Sequence, residues 1–494
     1  MRVIVVGAGL GGLSAVCHLV GAGHEVVVLE RQAEPGGRAG VWEPDTAAGR
    51  FHLDTGPSVL TMTGILSGVF AAAGADMADH VTLRPVDPMY RATWPDHEPV
   101  HVRHGRQAMT EEIRATCGPK EADAFGRFCD WLTRLYRNEV PNFIDRNFDS
   151  PLDLAWPLGP AVQLLRLGGF RRLAKAVNGY FDDPRLQQLF SFQAMYAGVS
   201  PFEALALYSV ITYMDTVEGV YFPDGGIHAV AVGLAAAAEK AGASFTYGAT
   251  VERVQRRYGT SGPVTGVRLT TGERIHADAV VLNPDLPVAY RTLLPEVPMP
   301  RTARRGRYSP SCALWLAAVR GRPPALAAHH NIHFGGHYED SFDALIQRGT
   351  LQPDPSILVT IQNHTDTSLA PPGCTALYVL EPTPNLDGRV DWSQERAELQ
   401  AGLRQRVEAF GYPVDVLEER FVDPTDWEAQ GMERGAPFAL SHTFFQTGPF
   451  RPGNVDRRVP GLVFVGSGTV PGVGVPIVLL SGRLAAERVE RGWS

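Results

Sequence analysis

The first thirty residues constrain the fold more than any other part of this chain. Residues 2–6 are a short β-branched apolar run that stops at a glycine turn, Gly7-x-Gly9-x-x-Gly12. An apolar stretch that reads as a helix follows and ends at Ala22-Gly23, and residues 25–30 form a second β-branched run closing on Glu30. Strand, glycine turn, helix and strand within about 30 residues make a βαβ unit. In such a unit the first glycine permits the tight turn, the second lets a pyrophosphate approach the backbone, and the third lets helix pack on strand. The helix N-terminus attracts the phosphate charge. Glu30 follows Gly7 by 23 residues and is placed to accept the ribose hydroxyls of an adenosine. With strand, helix and acid all in place, a chance glycine turn in a purely structural unit is the lesser reading.

Composition narrows the class. At 494 residues, 44% hydrophobic and 20% charged, the chain is an ordinary globular protein of two to three domains. A net charge of -8 argues against nucleic acid as a partner. Five scattered cysteines (Cys17, Cys117, Cys129, Cys312 and Cys374), never in a C-x-x-C pair, suggest neither a disulfide framework nor a structural zinc. Met1-Arg2 and the apolar residues through Val20 have the look of a secretion leader, but glycines interrupt the run and no small-residue cleavage site follows. With no uninterrupted apolar span of ~18 residues, any membrane contact is expected to be peripheral and the location cytoplasmic.

Further along, residues 57–224 have a mostly helical texture, with 125–137 and 186–196 reading as helices. The α/β signal returns with a helix over 227–241 and strands over 244–247, 251–254, 264–270 and 277–282. Strands over 312–319, 357–362 and 461–465 and a closing helix over 477–491 complete the pattern. The expected architecture is a discontinuous α/β domain of Rossmann type, built from residues 1–75, 225–300 and 455–494. An α+β, partly helical substrate domain, 76–224 with 301–454, is inserted into it.

Several motifs accompany the fingerprint. Glu34-Pro35-Gly36-Gly37-Arg38 would let the chain pass close to phosphates that Arg38 can neutralise, and Asp54-Thr55-Gly56-Pro57 is a second glycine turn. Residues 461–476 read GLVFVGSGTVPGVGVP, followed by Ser481-Gly482. Together these closely resemble the FAD-binding signatures of bacterial-type phytoene desaturases, within the amine-oxidase and carotenoid-desaturase superfamily. Tyr221-Phe222-Pro223-Asp224-Gly225-Gly226, Phe190-Ser191-Phe192-Gln193, Asn142-Phe143-Ile144-Asp145, Tyr213-Met214-Asp215-Thr216 and residues 368–374 extend the resemblance over the whole chain, to desaturases of actinobacterial type. Ser467 stands where the family usually has Ala, Gly or Cys, and Val470 where it often has His.

The resemblance implies FAD as cofactor. It implies as FAD contacts Gly7, Gly9, Gly12, Glu30, Arg31, Gly36, Gly37, Arg38, Thr55, Gly56, Pro57, Val251, Gly466, Gly468, Gly472, Val473, Gly474 and Val475. The implied reaction is stepwise desaturation of a long apolar polyene, phytoene, with quinone or oxygen reoxidising the flavin. No residue identifies itself as the base; Asp153 is the candidate, although a salt-bridged or capping carboxylate is the favoured role for it. Residues 156–170 are the candidate peripheral membrane contact. A 3,4-desaturase, an apocarotenoid desaturase, a flavin amine oxidase and a redox-neutral flavin isomerase remain as alternatives. His329, His333 and His337 recur every fourth residue, but Gly335-Gly336 would break a helix there, and Ile332 and Phe334 alternate with them as in a strand. No metal is expected.

Overall fold

A computed structural model describes residues 1–155 and 158–492. Five parallel strands form the central sheet, in the order Ser244–Tyr247, Glu25–Glu30, Arg2–Val6, Ala279–Leu282 and Leu462–Phe464. The sheet is therefore drawn from the start, middle and end of the chain, as a doubly wound α/β fold allows. Its strands are apolar on both sides because both faces are covered. Val3 and Val5 join the core beneath the helices Leu10–Gly21, His228–Lys240 and Val475–Glu490. Ile4 and Val6 join the core on the opposite face, where a small antiparallel sheet of Val251–Arg256, Val264–Leu269 and Arg274–His276 packs. Of the strands expected across 244–282, only the first and last enter the parallel sheet.

A second, seven-stranded sheet has the order Asp415–Val422, Ser311–Arg320, Cys374–Thr383, Ile357–Ile361, His330–His333, Tyr90–Trp94 and His97–Val102. All its neighbours are antiparallel except His330–His333 with Tyr90–Trp94. Ser311–Arg320 alternates its faces: Ala313, Trp315 and Ala317 pack with Leu399 and Leu403 of the helix Trp392–Ala409, while Leu314, Leu316 and Ala318 pack towards Phe51 and Leu53. The expectation of a mostly helical 57–224 needs correction, because the hairpin at residues 90–102 completes this sheet. The expected helix over 186–196 is broken as well. Pro184–Leu189 is α-helical and Phe192–Ala197 is a 3-10 turn, the Ser191 hydroxyl donating back to the carbonyl of Gln187 at the break. Among the described residues, no helix is long and apolar enough to cross a membrane.

Candidate active site

A large cavity of about 1200 Å³, lined by residues of both sheets, exceeds the roughly 300–1,000 Å³ of ordinary ligand pockets. One end is walled by the glycine fingerprint and the carboxyl ends of the parallel strands. Gly7, Gly9, Glu30, Arg31, Gly36, Gly37, Arg38, Thr55, Gly56, Pro57, Val251, Gly466, Val473, Gly474 and Val475 all line it. Gly12, Gly468 and Gly472, expected beside them, do not. They are packing glycines: a Cβ would lie 2.2 Å from the Gly7 carbonyl at Gly12, 2.8 Å from Leu286 Cβ at Gly468 and 2.1 Å from the His442 ring at Gly472.

The polar end is built for an anion and a diol. The helix Leu10–Gly21 starts at Gly9 and the helix Val475–Glu490 at Gly474, each without a side-chain cap. Both glycines line the cavity, so two sets of first-turn amides open into it. A Cβ on Gly9 would sit 2.6 Å from Asn283 Oδ1, so a side chain there would displace Asn283. Glu30 is buried; Oε2 accepts from the Ala8 amide at 2.6 Å and Oε1 from the Gln32 amide at 2.8 Å. A carboxylate has about four acceptor sites, which leaves two for ribose hydroxyls. Uncapped amides at the centre, a fixed carboxylate to one side and close backbone throughout are the donor and acceptor set that FAD requires, so the residues fit that cofactor.

Two expected contacts have further partners. Arg38 donates to Ser467 Oγ at 2.7 Å and to the Pro437 carbonyl, tying 36–38 to the C-terminal turn across the cavity wall. Ser467, the departure from the usual small residue, thereby serves as an anchor. Arg31 donates to the Gln430 carbonyl at 2.6 Å. Asp54, just before Thr55-Gly56-Pro57, accepts from the amides of Ile227 and His228 at 2.8 and 3.1 Å and so fixes the start of the helix His228–Lys240.

The other end is an apolar tunnel. Its floor includes Leu358, Leu380 and Tyr378 of the mixed sheet, and its roof Phe143, Phe192, Met195 and Leu207 of the helical region. Three ionisable groups sequence reading passed over lie in it. Asp215 and Glu139 are each 3% exposed; burial pushes Asp215 up to about 7 and Glu139 well above the usual carboxylate range. Burial pushes the His442 imidazole far below its ordinary value, and its Nε2 lies 3.4 Å from the Val473 amide.

Asp153 is not in the cavity wall. Its carboxylate accepts from the amides of Asp149 and Ser150 at 2.8 and 2.9 Å, and these bonds hold it below the usual carboxylate range. It is a turn-capping group, and the candidate base must be sought elsewhere. His330 and His333 lie in a buried strand with His329 beside it, and among the described residues no three metal-binding groups gather.

A family model described as flavin containing amine oxidoreductase matches residues 10–490. A phytoene dehydrogenase of Streptomyces griseus is 47% identical over 99% of this chain and 95% of its own length. A zeta-carotene-forming phytoene desaturase of Myxococcus xanthus is 36% identical over 99% and 93%. An oxidoreductase of Methanosarcina mazei shares the fold, with a TM-score of 0.65 at 17% identity over 99% of this chain and 100% of its own.

Proposed function

Because the chain belongs to the flavin-containing amine oxidoreductase family, and within it to the phytoene desaturases, we propose that it is an FAD-dependent desaturase that converts phytoene stepwise to a conjugated carotenoid such as lycopene. The observation that carries this is one cavity lined at one end by the glycine fingerprint and Glu30 and at the other by apolar side chains. When bound, FAD would supply a two-electron acceptor.

The chain's own residues do the rest. The amides of the Gly7 to Gly11 turn hold the pyrophosphate, Glu30 holds the adenosine ribose, and Arg31 and Val251 border the adenosine side. Residues 36–38, 55–57, 466 and 473–475 bring backbone to the flavin ring. The tunnel orients the polyene by shape and keeps water from it. Residues 1–75, 225–300 and 455–494 form the cofactor domain, and 76–224 with 301–454 the substrate domain. In support, the parallel sheet takes all its strands from the first set and the mixed sheet all its strands from the second. Quinone or oxygen reoxidises the flavin.

The substrate enters from a lipid surface. Leu152, Leu158, Leu165 and Phe445 are 79%, 60%, 64% and 73% exposed. Phe170 and Phe444 pack edge to face at 6.2 Å and line the cavity mouth. Exposed Arg166, Arg171 and Arg172 stand beside them, as a peripheral contact with anionic lipid needs. Trp156, the first residue of the expected contact, lies outside the described residues. Mixing the FAD-loaded protein anaerobically with phytoene-loaded liposomes tests the reading: flavin absorbance should bleach, and an unchanged spectrum with liposome-bound protein contradicts it.

A further inference from the structure

The reaction removes two hydrogens from a –CH2–CH2– pair, so besides an electron acceptor it needs somewhere for a proton to go. Asp153 is not at the cavity. The carboxyls and imidazole that do line it differ in what they are free to do. Glu30 and Asp285 are occupied by backbone amides. Glu139 has an unpartnered Oε1, and burial, with no hydrogen bond opposing it, pushes it well above the usual carboxylate range. His442 is held neutral, its Nε2 facing the Val473 amide. Asp215 remains.

Asp215 sits in the π-helical turn Tyr213–Glu218, a geometry frequent at functional sites. It lines the cavity and is held from behind by Tyr90 of the mixed sheet, whose hydroxyl donates to Oδ2 at 3.3 Å. Tyr196 lines the cavity too and acts electrostatically on the Tyr90 phenol. Of the two phenols, Tyr90 acts on Asp215 through its hydrogen bond, and Asp215 in turn pushes the Tyr196 phenol up. Its neighbours lead to both motifs assigned to the flavin ring. Met214 packs on Met62, five residues beyond Pro57. The Ala197 carbonyl accepts from the His442 amide at 2.8 Å, and the His442 ring abuts Gly472. Asp215 is therefore a cavity-wall residue whose sequence neighbours pack toward the turns at 55–57 and 472–475.

We propose that Asp215 is the catalytic base of the desaturation, with Tyr90 and Tyr196 as its positioning residues; the proposal rests on the desaturase reading. In each step two C–H bonds break and one C=C forms. One hydrogen leaves with its electron pair to the bound FAD, the oxidant the activity already requires. The other leaves as a proton onto an Asp215 carboxylate oxygen, and the electrons of its C–H bond become the new π bond. Burial pushes Asp215 up to about 7 and the Tyr90 hydrogen bond opposes that rise. The carboxylate form, and with it the rate, grows as pH climbs through 7.

The test compares FAD-loaded wild type, Asp215→Asn and Tyr90→Phe on phytoene in liposomes. Wild type should show an acid limb near pH 7 and an infrared band of a protonated carboxyl that titrates there. Asp215→Asn should load FAD normally, lack that band and lose about 100- to 10,000-fold in kcat. Tyr90→Phe should move both the band's midpoint and the acid limb to higher pH. If Asp215→Asn fails to load FAD, Tyr90→Phe carries the test alone. Asp215→Asn turnover within threefold of wild type, or a limb and midpoint unmoved in Tyr90→Phe, overturns the proposal; absent turnover in wild type instead overturns the desaturase reading.

Discussion

Substituting Gly482 with alanine should separate the two helices that hold the cofactor end together. The C-terminal helix Val475–Glu490 lies against Leu10–Gly21, and a Cβ on Gly482 would come within 2.6 Å of the Ala15 nitrogen, the Gly11 carbonyl and Ser14 Cβ. Ordinary contact begins at 3.4 Å, so the helices must part by 3.4 less 2.6, about 0.8 Å. Two of the three atoms are backbone and cannot turn aside. Overpacking of this kind costs about 1–3 kcal/mol. The same crossing carries the Ser14 hydroxyl bond to the Leu479 carbonyl and the Gly466 amide bond to Ser481 Oγ, whose weakening adds about 1 kcal/mol. FAD-loaded Gly482→Ala should therefore unfold a few degrees lower in a thermal melt and bind FAD more weakly by titration, because Gly466 moves off the fingerprint. Gly68→Ala is the paired control. Gly68 is exposed inside the helix Thr63–Ala72, with nothing within 4 Å of its Cβ position, so alanine there should gain about 0.5–1 kcal/mol. Wild-type melting and FAD affinity in Gly482→Ala would refute the close-packed crossing.

Glu30→Ala should weaken FAD binding and also lower the apoprotein's melting temperature, since Glu30 bonds two backbone amides before any ligand arrives; charged hydrogen bonds of this kind contribute about 1.5–3 kcal/mol each. An unchanged apoprotein melt would mean the carboxylate points elsewhere in solution. Phe445→Asp with Leu165→Asp should reduce flotation with anionic liposomes while leaving FAD content intact, and undiminished flotation would exclude this patch. Asp153→Asn should leave kcat within about twofold of wild type, because the group only caps a turn; a hundredfold loss in steady-state assays would return Asp153 to the mechanism.

The cofactor end was the legible part because its physics is local. Residues 2–6, Gly7 to Gly12 and Glu30 are contiguous, and the turn, the helix and the ribose acid follow from spacing alone. The C-terminal turn at 466–476 was legible as a motif, but its meeting with the first helix through Ser14, Gly482 and Leu479 is a contact over more than 460 positions that no local pattern encodes. The tunnel was illegible for the same reason. Asp215 lay inside a stretch already singled out, yet its burial depends on Tyr90, 125 residues away. Asp153 was legible as a turn cap, the role its bonds to the Asp149 and Ser150 amides bear out, but a carboxylate near Pro151 reads alike whether it caps a turn or faces a cavity. The hairpin at 90–102 escaped notice because it completes a sheet whose other strands begin two hundred residues later. Asn283, whose side chain lies against the fingerprint glycines, was findable as the residue ending the 279–282 strand, where ligands of such sheets bind.

The central claim is that this cavity desaturates phytoene, and product formation tests it most directly. Expressed in cells that accumulate colourless phytoene, the chain should give coloured polyene, with lycopene or neurosporene as the main pigment by chromatography, because each new double bond lengthens the conjugated system. Unaltered phytoene in cells containing FAD-loaded protein would contradict the account.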